Sequence, residues 1–206
     1  MWRVYTGEQY RAALADWDRD EVDPESCRSD RYRQACYNDE AVAVADCVEA
    51  KMPGERRPLP VLVLAGAGGN GRAGLRAGIE LLKRGYRVEV QLVPAPQDGD
   101  RYDGYPDHCD DPQELWHKDA PPASHALLKD FLALEGKHTT RRDGDDGWAP
   151  CIAVDAICGR GFDGRLRGPA TLWAGILWKA SDVVAVACPP GMNPDPGRTM
   201  DRPHAS

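Results

Sequence analysis

Residues 61–74, VLVLAGAGGNGRAG, change character halfway. The first half, VLVLAG, is short and wholly apolar, as expected of a parallel strand covered on both faces. The second half is a glycine-rich turn into a helix, which presents backbone N–H groups and a helix N-terminus to a phosphate. Gly66-x-Gly68-x-x-Gly71 matches the dinucleotide spacing GxGxxG. An ordinary NAD-dependent dehydrogenase is nevertheless disfavoured. The acid that should end the next strand is displaced, because Glu89 sits in mid-strand, followed by Val90 and Leu92. About sixty residues also precede the glycines, whereas such domains often begin near them.

Downstream, strands and helices alternate. AGLRAGIELLKRG reads as a helix with Leu75, Ile79 and Leu82 on one face and Gly85 as its stop, and YRVEVQLV (86–93) as a strand. Residues 94–122, rich in Pro, Asp and Gly, read as an exposed loop. SHALLKDFLALEG is a helix for which Ser124 is the expected cap, and CIAVDAI (151–157) is a strand. PATLWAGILWKAS (169–181) opens a helix on Pro169, and DVVAVAC (182–188) is the last strand. This alternation predicts an α/β fold: a three-layer αβα sandwich around a Rossmann-like, mostly parallel sheet. With the 61–66 strand central, the 151–157 strand returns to its free side. A crevice then opens at their carboxyl ends. Two glycine-rich loops meet there, GAGGNGRAG and CGRGFDGRLRG, the second carrying Arg160, Arg165 and Arg167. An anionic ligand is expected between them.

Upstream, residues 1–57 read as a helical lead-in. GEQYRAALADWD has a stripe of Tyr10, Ala13, Leu14 and Trp17, and RYRQACYNDEAVAVADCVEAKM has Val42, Val44, Ala45 and Val48 before Pro53-Gly54. The expected organisation is this lead-in, one globular unit over 58–200, and a tail at 201–206.

A chain of 206 residues supports one α/β domain. Its net charge of −7 gives no general attraction to nucleic acid or anionic membrane. The N-terminus is polar within a few residues, and no run approaches the ~18 apolar residues of a membrane span. The seven cysteines form no CxxC pair, and Cys151, Cys158 and Cys188 flank apolar strands as small buried hydrophobes. Reduced thiols and an intracellular, cytoplasmic location are the expectation.

Three ordered segments make the reading specific. LAGAGGNGRAGLRAGIELLKRGYRVEV resembles the GPGNNGGDG-plus-helix segment of the YjeF N-terminal family, whose enzymes are NAD(P)H-hydrate epimerases. VDAICGRGFDGRLRGP resembles the family's DAIFGFxFKG loop, and VVAVACPPGMNPDPG its DIPSGxDxxxG strand end. Together the segments cover about residues 40–197. The resemblance implies interconversion of R and S NAD(P)H hydrates, the hydrate being ligand rather than cofactor. It implies binding by Gly69, Asn70, Gly71 and Arg72 on one loop and by Gly159, Arg160, Phe162, Gly164 and Arg165 on the other. It also implies a potassium ion held by Asn70 and Asp155.

Four positions depart from the family pattern. Its potassium-binding Ser corresponds to Pro190 and the Asp opening that motif to Ala187; the Asp of GGDG has become Ala73, and the Lys of FKG has become Asp163. LWAGILWKASDVVAVACPPG also resembles the non-catalytic C-terminal domain of the enhancer-of-mRNA-decapping scaffold, the alternative under which RNA or protein would be the partner. If the chain is complete soon after Gly197, an open sheet edge points to a homodimer.

Blander readings stand beside these. Asn70 is also a good turn residue, and the arginines are ordinary surface charges. Asp155 is harder to dismiss, because a lone buried carboxylate is costly unless paired or bound to a cation. DHCDDPQELWH contains His108, Cys109, Asp110 and His117, but its spacing fits no helical HxxxH pattern and no metal site is expected there. Trp173 and Trp178 are expected on the helix face packed against the sheet.

Overall fold

The computed structural model describes residues 30–52, 60–95, 112–139, 152–159 and 166–187. In chain order the elements are α1 (Asp30–Lys51), β1 (Val61–Gly66), α2 (Gly69–Lys83), β2 (Val88–Val93), α3 (Pro112–Asp119), α4 (Pro122–Ala133), β3 (Lys137–His138), β4 (Ile152–Ala156), α5 (Pro169–Leu177) and β5 (Asp182–Ala185). The five strands form one sheet in the order β3-β2-β1-β4-β5. Every neighbouring pair is parallel. β1 is central and β4 takes its free side, the arrangement expected from the alternating pattern. The winding therefore reverses beside β1, which opens the crevice at the strands' carboxyl ends.

β1 is buried at all six positions. Its pleat divides it between two cores. Val61, Val63 and Ala65 join Val90, Leu92, Val154 and Phe131 beneath α1, α2 and α4, while Leu62 and Leu64 join Val93, Ala170, Trp173 and Ile176 beneath α5. A strand that must satisfy both faces has no room for a polar residue. Its uninterrupted apolar run follows from that.

α2 ends on a left-handed glycine. Gly85 has φ 84°, its N–H donates to Leu82 O at 2.9 Å, and the N–H of Tyr86 donates to Leu81 O at 3.0 Å. α4 ends in the same way without a glycine. Glu135 has φ 63°, with Glu135 N–H on Leu132 O and Gly136 N–H on Phe131 O, both at 3.1 Å. A side chain in that conformation carries steric strain, so Glu135→Gly is expected to raise stability by about 1 kcal/mol. The denaturant midpoint would report it. A midpoint that does not rise would show that Glu135 is unstrained.

Several expectations need correction. Residues 94–122 are not loop throughout, since α3 runs from Pro112 to Asp119. Trp116 on α3 is fully buried and donates its indole Nε1–H to Ala65 O at 3.1 Å, so one aromatic anchors a helix whose flanks are polar. Ser124 is not a cap. α4 starts two residues earlier at Pro122, behind Pro121 in extended conformation, and Ser124 is buried in the first turn. α2 starts at Gly69, so the glycine turn is itself the helix's opening turn. β3 is an additional edge strand, pairing with Glu89 and Val90. Trp173 packs on the sheet as expected, but Trp178 follows the end of α5 and is 77% exposed. Val42 lies outside the buried stripe of α1, whereas Val44, Ala45 and Val48 are buried. The segment GEQYRAALADWD and Cys151 and Cys188 lie outside the described residues, and Cys158 is half-buried.

Candidate functional site

The site begins where three backbones stack. A Cβ on Gly66 would stand 2.2 Å from Ile157 O, and a Cβ on Gly71 would stand 1.6 Å from Gly66 O. Only hydrogens at both positions let the end of β1 lie between the first turn of α2 and the residues after β4. α2 opens on Gly68 with no side-chain cap, and Arg72 N–H makes the first backbone bond, to Gly68 O at 3.2 Å. The N–H groups of Gly69, Asn70 and Gly71 have no intrahelical acceptor at such a start. They and the helix dipole leave this helix start partly positive at the carboxyl ends of the strands. Arg72 Nη2 lies 3.9 Å from where a Gly69 Cβ would stand, which places the guanidinium beside this turn.

Asn70 joins the two loops. Its Nδ2 donates to Cys158 O at 2.5 Å. A carbonyl only accepts, so this bond fixes the amide's orientation and commits Oδ1 to the other side. A Cβ on Gly159 would lie 3.3 Å from that Oδ1, so Gly159 leaves the oxygen room.

Asp155 is the penultimate residue of β4, opposite Leu64 on one side and Ala185 on the other. The residue is 3% exposed. Oδ1 accepts Ile157 N–H at 3.2 Å, while Oδ2 is buried without a hydrogen-bond partner. Burial pushes the carboxyl up to about 7, only partly countered by the Ile157 hydrogen bond. Successive residues of one short turn therefore hold both polar groups: Ile157 binds Asp155 and Cys158 binds Asn70.

The structure brings Gly69, Asn70, Gly71, Arg72 and Gly159 together at the carboxyl ends of β1 and β4, with Asp155 in β4 itself. Arg160, Phe162, Gly164 and Arg165 lie outside the described residues, as do Asp163 and Pro190. Ala187 is exposed just beyond β5, and Ala73 is buried in α2. The reading of the sequence missed Trp116, which supports the end of β1 from below; the available signal was a single tryptophan in a polar segment. Among the described residues no group of three or more His, Cys, Asp or Glu converges as a metal cage. Nor is any helix among them long and apolar enough to cross a membrane.

A central strand, a glycine-rich helix start and a buried carboxyl on the neighbouring strand mark the open end of a parallel α/β domain. Residues 37–204 match the family model described as YjeF-related protein N-terminus. The chain belongs to that family. It is 32% identical over 158 residues to the "Bifunctional NAD(P)H-hydrate repair enzyme Nnr" of Moorella thermoacetica, covering 75% of this chain and 27% of the relative. The protein of the same name from Methanothermobacter thermautotrophicus is 29% identical over 146 residues, covering 68% of this chain and 25% of the relative. The chain thus spans about a quarter of the length of these curated relatives. The crystal structure of yeast ynu0, YNL200c, superposes with a TM-score of 0.61 at 18% identity, covering 93% of this chain and 72% of that one. That likeness bears on the fold alone.

Proposed function

We propose that the crevice binds an NAD(P)H hydrate and that the chain interconverts its R and S forms, at a rate held down by Ala187 and Pro190. The observation that carries this reading is Asp155: a carboxyl buried beside a glycine cradle, with one oxygen that nothing in the described protein satisfies. An unsatisfied buried carboxylate is costly enough that a ligand or cation is its natural complement. Membership of the family and the names of the two curated relatives support the nicotinamide hydrate over other anions, and favour a repair activity over the scaffold reading.

The residues present fit a hard monovalent cation. Asp155 Oδ2 is without a partner, and the bond to Cys158 directs Asn70 Oδ1 away as a second oxygen. A potassium ion there would offset the carboxylate charge and polarise an oxygen of the ligand. The chain's own groups do the remaining work. The N–H groups of Gly69, Asn70 and Gly71 receive the phosphates, and Gly159 keeps space beside the Asn70 oxygen. Epimerisation at the hydroxyl-bearing ring carbon also calls for a positioned proton donor or acceptor. Such a group contributes about 10²–10⁴-fold. An alanine at 187 offers no proton, and a proline at 190 offers no hydroxyl to a cation.

The test is direct. R-form NADPH hydrate is mixed with the purified protein in potassium buffer, and the S-form is followed by chromatography against spontaneous conversion. The expected result is a weak protein-dependent rate that rises by about 10²-fold or more in the double variant Ala187→Asp, Pro190→Ser. No rate in either protein, together with no NADPH-hydrate binding by calorimetry, would remove this reading.

A further inference from the structure

We propose that His117 and His125 form a binding site for a late first-row divalent metal ion, zinc being the type, which joins α3 to α4 beside the end of β1. The two residues stand on successive helices, eight positions apart across the Ala120-Pro121 junction. That is why the 107–117 segment, searched by itself, offers no ligand spacing: His117's counterpart lies on the next helix.

Three observations carry the assignment. The imidazole centroids are 5.1 Å apart with ring planes at 84°. An imidazole bound at a zinc–nitrogen distance of ~2.0–2.1 Å has its centroid ~3.2 Å from the ion, so two at a tetrahedral angle stand ~5.2 Å apart. The observed spacing therefore matches that of two imidazoles on one ion once a nitrogen of each ring is turned toward it.

Second, Nε2 of His125 is buried with no hydrogen-bond partner. Packing of aromatic rings accounts for the position of this imidazole but not for an unsatisfied nitrogen, which a metal ion satisfies.

Third, the pair is rigidly mounted. Fully buried Trp116 is pinned to Ala65 O, lies roughly parallel to the His125 ring at 5.8 Å, and meets the His117 ring edge-on at 5.5 Å. Ala120 N–H to Trp116 O at 2.8 Å and Ser124 N–H to Pro121 O at 2.8 Å close the turn between the helices. Preset ligands bind a metal with little ordering cost. His117 is exposed, which gives an ion its approach, and water completes the tetrahedron.

Two imidazoles with water ligands make an open site of moderate affinity, and binding requires both rings neutral. The site stands apart from the nicotinamide-hydrate reading, and neither depends on the other.

Calorimetric titration of the untagged full chain with zinc chloride at pH 7.5 tests it, with thermal melts in parallel. One equivalent is expected to bind in the micromolar range and to raise the melting temperature. His117→Ala and His125→Ala should each weaken binding at least 10-fold, while Cys47→Ser, a thiol on α1, leaves it unchanged. Zinc-induced shifts of imidazole proton resonances should be confined to these two histidines. Wild-type protein that binds no zinc below about 100 μM, or binding undiminished in His117→Ala, overturns the site and leaves an aromatic cluster alone. Because His117 is exposed, that variant keeps the test decisive even where His125→Ala fails to fold.

Discussion

Gly71→Ala is expected to destabilise the protein by about 3 kcal/mol or more, a large share of the ~5–15 kcal/mol that holds an ordinary domain folded. The added Cβ would stand 1.6 Å from Gly66 O, 2.6 Å from Gly66 C and 2.9 Å from Gly66 N. All three are backbone atoms of the central strand, so no side chain can swing away to relieve the contact. Gly66 cannot retreat either, because Ile157 O lies 2.2 Å from where its own Cβ would be. Relief requires α2 to lift from β1, which would open the core around Val63, Leu75 and Phe131. Gly69→Ala provides the contrast. Its Cβ would meet only Arg72 Nη2, at 3.9 Å, and alanine favours a helix more than glycine by up to about 1 kcal/mol. Guanidinium denaturation of both variants decides the matter. A Gly71→Ala midpoint equal to wild type would mean that α2 does not seat on β1 in this way.

The same stack marks how far the sequence could be read. The apolar run 61–66 and the glycines after it were legible because a doubly covered strand and a phosphate-type turn each leave a compositional trace. Strand order followed from the alternation of elements, and Gly85 announced its own left-handed turn. Other features leave weaker traces. α3 owes its place to one buried tryptophan, while the Pro- and Asp-rich residues before it dominate any averaged pattern. β3 is two residues long and has no periodicity to detect. Ser124 has the chemistry of a cap, but Pro122, fixed near helical φ, begins the helix before it. Trp178 repeats the apolar spacing of its helix, yet α5 has already ended and the ring turns to solvent. In the site, Asp155 stood out because it interrupts an apolar strand. No pattern in the sequence discloses that Cys158 O fixes the Asn70 amide, because that bond joins residues 88 positions apart.

Asp155 should govern how stability depends on pH. Its carboxyl titrates near 7 in the folded protein and at 3.8, the ordinary aspartate value, when unfolded. Between those values the folded state holds a proton that the unfolded state has lost. Stability is therefore fully present below about pH 4 and falls as pH rises through 7, because the buried group must then ionise without a partner. A difference of about 3 pH units corresponds to at most ~4 kcal/mol, reached above pH 7. Asp155→Asn removes the ionisation and nearly keeps the shape. In a buffer of bulky organic cations the variant should be more stable than wild type at pH 8, and nearer to it at pH 5. Potassium reverses the comparison if it binds the ionised carboxylate with Asn70. Added at pH 8, it should raise the melting temperature of wild type and leave Asp155→Asn unmoved, since only a carboxylate draws the ion in. A pH effect without a potassium effect would identify a buried acid waiting for the ligand itself, and the cation would have to leave the account. Loss of the pH effect would mean that Oδ2 is already satisfied, and with it would go the observation on which the proposed nucleotide site rests.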